Sequence, residues 1–240
     1  MTRPSPPTRW TMVLVARARR FFVLKAVGIT ACTWLFFVGY FHVLRHPAYP
    51  VTVVPTTALD HWIPFMPQAL IPYISLWVYV GIGPGLQFGF VELLVYGSWA
   101  CALCGCGLVL FYLWPTQILP TAFDPMGFPG FDLLRGVDAA GNACPSMHVA
   151  IAIFTAIRIE VLFRKIGTPP WIRIVNAVWF AAIVYSTLAL KQHVVVDVVA
   201  GALLGAVFAL ASLRWRPRGG APDIIDARRA ATDHRRQHIP

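Results

Sequence analysis

Apolar residues run almost unbroken through six stretches of the chain, at roughly 22–44, 69–87, 92–114, 147–164, 172–190 and 194–213. Each approaches the ~20 residues that an α-helix needs to cross a hydrocarbon layer. The pattern predicts an all-α, polytopic membrane protein built as a bundle of six transmembrane helices. Boundaries are softest around the second and third stretches, where Gly81, Gly83, Pro84 and Gly85 close one and Glu92 opens the other. A basic segment, 1–21, precedes the membrane domain at 22–213. A basic tail, 214–240, follows it; with Pro217, Gly219, Gly220, Pro222 and dense charge, that tail has no core of its own and is expected to be disordered. Two short polar clusters break the apolar pattern: Pro145-Ser146-Met147-His148, and the run from Ser186 through Lys191 and His193 to Asp197.

Composition agrees with the pattern. Hydrophobic residues make up 58% of the chain, charged residues 12%, and the mean hydropathy is +0.64, values that exclude an ordinary soluble domain. The net charge of +10 is unevenly placed. Arg3, Arg9, Arg17, Arg19, Arg20 and Lys25 precede or open the first span. Arg158, Arg164, Lys165 and Arg173 flank the turn between the fourth and fifth. Arg214, Arg216, Arg218, Arg228, Arg229, Arg235 and Arg236 follow the sixth. With six crossings all of these fall on one side, leaving Arg45, Arg135 and Lys191 on the other with Asp124, Asp132 and Asp138. The excess of Lys and Arg marks the cytoplasmic side, so both termini are expected there. The positive charge then serves topology and anionic headgroups; no basic stripe interleaved with aromatics points to nucleic acid. The run after Arg20 is too long for a signal-peptide core and lacks a small-residue cleavage site, so it is expected to be a retained anchor.

Cys101, Cys104 and Cys106 lack the second pair and the neighbouring ligands of a metal site, and read as packing residues. Cys144 adjoins the first cluster, but a nucleophilic role would require a base and an activated thiolate. No metal and no cofactor is expected. Gly201 and Gly205 form a small-xxx-small pattern in the sixth span, fit for close helix packing.

Two crossings separate the clusters, so both fall at the same, extracytoplasmic face and at the amino ends of two helices. Such ends offer unpaired N–H groups and the positive end of the helix dipole, a natural site for an anion. Pro145 suits a first helical position, and the amides of Ser146 and Met147 could face an oxyanion. His193 and Asp197 are four residues apart, which on a helix stacks them on one face; the Asp would fix the tautomer of the imidazole and leave its other nitrogen free to attack phosphorus. His148, from the other helix, could protonate the departing oxygen.

At these residues the chain resembles the type 2 phosphatidic acid phosphatase family, related to the vanadium haloperoxidases. Pro145, Ser146, Met147 and His148 match its Pro-Ser-x-His motif. Ser186, His193 and Asp197 match the spacing of its Ser-Arg…His…Asp motif, with Thr187 in place of the Arg. The similarity spans roughly 90–213. The resemblance implies metal-independent phosphoryl transfer in which His193 becomes a transient phosphohistidine. It further implies that Asp197 orients the ring, that His148 serves as acid and then as base for water, and that Ser146 holds a phosphate oxygen. Lipid phosphates or diphosphates are the family's usual membrane-bound substrates. The family's first motif, a Lys followed by Arg-Pro, has no counterpart before Pro145, so Lys191 and Arg135 are the candidate replacement cations. An inositol phosphorylceramide synthase-like branch similarly has Ser-Thr at this point and lacks the ordinary first motif.

The substrate-binding set expected from the sequence is thus Ser146, Pro145, Met147, Lys191, Arg135 and Ser186, around catalytic His193, His148 and Asp197. The leading function is a membrane lipid phosphate or diphosphate phosphatase. A phospho-headgroup transferase with the same intermediate, and a transport protein or inactive scaffold on the same fold, are the alternatives. Expected partners are the lipid substrate and membrane lipids, in a plasma membrane of bacterial inner-membrane type; oligomeric state is not legible.

Overall fold

The computed structural model describes residues 9–119 and 141–215. In chain order these residues form α1 (Arg9–Arg19), α2 (Phe22–Arg45), α3 (Ala58–Trp62), a 3-10 turn (Pro67–Ala69), α4 (Leu70–Gly85), α5 (Phe90–Leu113), α6 (Met147–Ile166), α7 (Pro170–Ala189) and α8 (Val195–Arg214). Two short strands, β1 (Thr52–Val53) and β2 (Thr116–Gln117), pair in parallel, Thr52 opposite Thr116.

A helix occupies each of the six apolar stretches. Four of them, α2, α5, α7 and α8, are long and apolar enough to cross a membrane. The other two differ for physical reasons. Helix α4 has 16 residues, closing at Gly85 just after Pro84, and is therefore only ~24 Å long. Helix α6 has 20 residues but carries Arg158, Glu160, Arg164 and Lys165. It can do so because it lies inside the bundle, packed against α4, α5, α7 and α8. The basic segment before the first span contains a helix, α1, that the apolar pattern did not reveal; its Arg17 is buried against the turn between α4 and α5.

Two apolar clusters form on opposite sides of α6. One joins Leu76, Tyr79, Ala152, Ile159 and Ile183, the other Leu103, Phe111, Met147, Phe154 and Ala209. Polar ties run between the helices as well. Asn176 accepts from the Tyr79 hydroxyl at 2.8 Å and donates to the Ala156 carbonyl at 3.2 Å, linking α4, α6 and α7. Helix α8 approaches α6 closely because Gly201 and Gly205 lack side chains: a methyl group at either would overlap the carbonyl of Ser146 or Ala150. The outward faces are apolar, with Trp34, Leu35, Ile71, Leu203 and Val207 exposed.

Neighbouring helices alternate in direction, so the bundle has two distinct ends. One gathers the start of α4, α6 and α8 with the end of α2, α5 and α7, and is called here the histidine end. Of the described basic residues, Arg45 and Lys191 lie at it, whereas Arg17, Lys25, Arg164, Lys165, Arg173 and Arg214 lie toward the other.

Candidate active site

Helix α6 begins at Met147 with Ser146 as its N-cap, the Ser146 hydroxyl accepting from the Val149 amide at 3.4 Å. Pro145 consequently precedes the cap and is not the first helical residue, a correction to the sequence reading. The cap is a better use of Ser146, whose oxygen satisfies an amide that the helix leaves open. The Ser146 amide is also committed, donating to the Asp197 carbonyl at 3.0 Å. That bond joins the first turns of α6 and α8 and fixes the distance between their side chains. The amide-based anion site expected at Ser146 and Met147 is thereby reduced to the Met147 side of the turn. The Met147 side chain lies over Gly107 of α5.

His193 stands one residue before the N-cap of α8, Val194, and not on the helix itself. Its meeting with Asp197 comes from a capping interaction. The Asp197 carboxyl, at the third helical position, accepts the Val194 amide at 3.1 Å, and the same oxygen, Oδ2, lies 3.4 Å from His193 Nδ1. Asp197 is 0% and His193 9% exposed, so the pair is held in a dry setting. Behind it, the Thr187 carbonyl accepts the amides of both Gln192 and His193, at 3.1 and 3.2 Å. Thr187 thus braces the turn that presents the imidazole.

The two clusters converge. His193 Nε2 lies 3.5 Å from His148 Nδ1, and the ring centroids are 5.6 Å apart. His148 Nε2 in turn lies 3.1 Å from the hydroxyl of Tyr73 on α4, whose ring is 5.1 Å from the imidazole. Tyr73 had no signal in the sequence, being 75 residues from His148 with nothing local to connect them. One assignment of protons satisfies every link: Tyr73 donates to His148 Nε2, His148 Nδ1–H to His193 Nε2, and His193 Nδ1–H to Asp197. In this arrangement the His193 Nε2 lone pair faces His148 Nδ1–H.

Other expected residues lie differently. Ser186 and Thr187 are fully buried, and their hydroxyls donate within α7 to the carbonyls of Ile183 and Val184, at 2.6 and 2.8 Å. Neither hydroxyl is brought to the histidine pair. Lys191 adopts a left-handed conformation, φ 58°, in the turn between α7 and α8. Its ammonium donates to the carbonyls of Asp60 and Ile63, at 2.8 and 2.6 Å, which ties the α3 loop over this end of the bundle. Asp60 completes the tie by accepting the Val195 amide at 2.8 Å. Burial alone would push the Asp60 carboxyl up, but hydrogen bonds from Thr57 and Val195 and the charge of Lys191 together hold it below its ordinary range. Arg135 lies outside the described residues.

Cys144 is buried, its thiol pushed up to about 11 by burial first and by the negative charge of Asp197 second. At neutral pH it stays a thiol, unsuited to nucleophilic work. Its amide and carbonyl both engage the Thr116 hydroxyl, at 2.9 and 3.3 Å, anchoring the approach to α6. Among the described residues no three His, Cys, Asp or Glu side chains gather into a metal-holding group.

Residues 111–220 match the family model of the PAP2 superfamily. The matched stretch contains both histidines and Asp197. No curated protein and no solved structure shows significant similarity to the chain. The match supports phosphatase or phosphotransferase chemistry in a membrane protein.

Proposed function

We propose that this protein is a membrane phosphatase of the PAP2 superfamily, which removes phosphate from a lipid phosphate or diphosphate through a phosphohistidine at His193. In this reading all six long helices cross the bilayer, both termini are cytoplasmic, and the histidine end faces the extracytoplasmic side of a plasma membrane. The observation that carries it is the chain Asp197, His193, His148, Tyr73, drawn from three helices and their turns to one point.

The chemistry follows from that chain. At 3.5 Å the two imidazoles leave no room for phosphorus between them, so substrate must part them. His193 is buried and held by Asp197, whereas His148 is half-buried beside Tyr73 and Trp77, so His148 yields. The freed His193 Nε2 attacks phosphorus, the bond to the lipid oxygen breaks, and His148, in its doubly protonated form, gives a proton to that oxygen and becomes neutral. With His148 carrying a second proton, Tyr73 turns from donor to acceptor and keeps the ring aligned. Water then attacks the phosphohistidine, His148 takes a proton from it, and phosphate leaves with His193 restored. The Lys191 ammonium, the Met147 side of the turn that opens α6 and the positive end of that helix's dipole supply positive charge.

The same intermediate would serve a transferase that gives the phospho-headgroup to an alcohol. Thr187 at the position of the family's Arg favours this inositol phosphorylceramide synthase-like variant. Purified protein given a lipid phosphate, with and without a lipid or sugar alcohol, tests the proposal. Release of inorganic phosphate identifies the phosphatase, and a new phosphodiester the transferase. Neither product would leave a transport protein or an inactive scaffold.

A further inference from the structure

A cavity of about 520 Å³ opens beside the histidine pair and runs away from it between α2, α4 and α5. His148, His193 and Met147 border its upper end, and Leu24 and Lys25 its lower end. On α2 the lining residues recur at the spacing of one helix face, from Leu24 through Gly28, Cys32 and Phe36 to Tyr40. Sixteen residues of α-helix make the slot ~24 Å deep, most of the ~30 Å of a hydrocarbon core. A volume of that size drawn out over that depth makes a narrow slot, suited to one extended hydrocarbon chain. The floor is polar: the Lys25 ammonium donates to the carbonyls of Arg17 and Gly85 at 2.7 and 2.8 Å.

We infer that this slot holds the single long apolar chain of the substrate and measures its length. The inference rests on the reading of His193 as the phosphoryl acceptor, which places the headgroup at the slot's mouth. A prenyl or single alkyl phosphate then hangs its chain along α2 with the terminal carbons near Gly28, above Lys25. A chain too long for the slot meets an ammonium already bound to two carbonyls. A lipid with two chains leaves one outside. Two glycines give the slot its width. Gly28 on α2 and Gly97 on α5 both line it, and a methyl group at either would meet nothing within 4 Å. Side chains placed there enter the slot without pushing on a neighbouring helix.

The experiment uses the purified full-length protein in nanodiscs. A long-chain and a short-chain alkyl phosphate are compared for turnover, and a non-hydrolysable long-chain alkyl phosphonate for binding. Gly28→Leu and Gly97→Leu are each expected to lower the ratio of kcat/KM, long chain over short, by about tenfold, and to weaken phosphonate binding similarly. Gly105→Leu serves as control: Gly105 lies on α5 outside the slot, also with open space, and its variant should keep the ratio. Wild-type preference for a two-chain phosphatidate over the single-chain substrate, or an unchanged ratio in both slot variants, overturns the inference. If wild type binds the phosphonate in a manner sensitive to Gly28→Leu yet turns over neither phosphate, the slot stands and the phosphatase reading falls.

Discussion

Both ends of the bundle bury ionisable groups, and they do so to opposite purpose. Away from the histidines, Arg17 is 2% and Lys25 3% exposed, more deeply buried than His193. There Arg17, Lys25 and Arg158 each meet a fixed partner. Arg17 donates to the Leu86 carbonyl and lies 3.5 Å from Glu92, Lys25 holds two carbonyls, and Arg158 reaches the Ser212 carbonyl and hydroxyl at 3.3 Å over the ring of Tyr96. These contacts close turns and helix ends. At the histidine end the buried groups form a line of exchangeable protons that borders a cavity. Burial of an ionisable residue in a membrane protein is a default pointer to function; here the pointer separates only when one asks which buried groups hand protons to one another and which are fixed on backbone carbonyls.

Substitutions at the two ends should differ in kind. The largest effect is expected from Asp197→Asn, which removes the acceptor that sets the His193 tautomer: kcat should fall about 10³-fold or more, measured as phosphate release, with the protein still inserted. Tyr73→Phe keeps the ring and removes the partner of His148. It should lower kcat about tenfold and alter the pH profile, whereas an unchanged profile would make Tyr73 a packing residue. At the other end, Arg158→Met should cost stability, about 1–3 kcal/mol by thermal unfolding, with KM and the pH profile as in wild type. A kinetic change there as large as that of Tyr73→Phe would erase the distinction between the ends. The smallest effect concerns the α3 loop. Because the Asp60 carboxyl is held below its ordinary value of 3.8, its bonds to Thr57 and Val195 contribute fully above that pH. They are lost only as pH falls through the lower folded value. The protection factors against hydrogen exchange at the Thr57 and Val195 amides should therefore stay constant down to pH about 4 and fall at lower pH.

Much of this was legible from the chain. Six apolar windows located six helices, because side-chain hydropathy is local information, and the spacing of His193 and Asp197 brought those two together. Their contact arises from a capping turn and not from a shared helix face, since the helix begins only at Val195. Pro145 was placed two positions too late, because Ser146 competes for the cap and wins it. Tyr73 and Asp60 were invisible for a different reason. Each reaches the site across a long sequence separation, from α4 and from the loop before it, and only the packed bundle brings them there. Lys191 was seen as a candidate cation, but not its bonds to the α3 loop, which tie that loop down beside the histidines.

The central claim is that His193 carries the phosphoryl group. Wild-type protein mixed with a labelled lipid phosphate and quenched in alkali, where phosphohistidine survives, should retain label on the chain. The label should map to the peptide containing His193, vanish in His193→Ala, and persist longer in His148→Ala, which lacks the base for water. Label absent from wild type during active turnover, or retained in His193→Ala, would contradict the account.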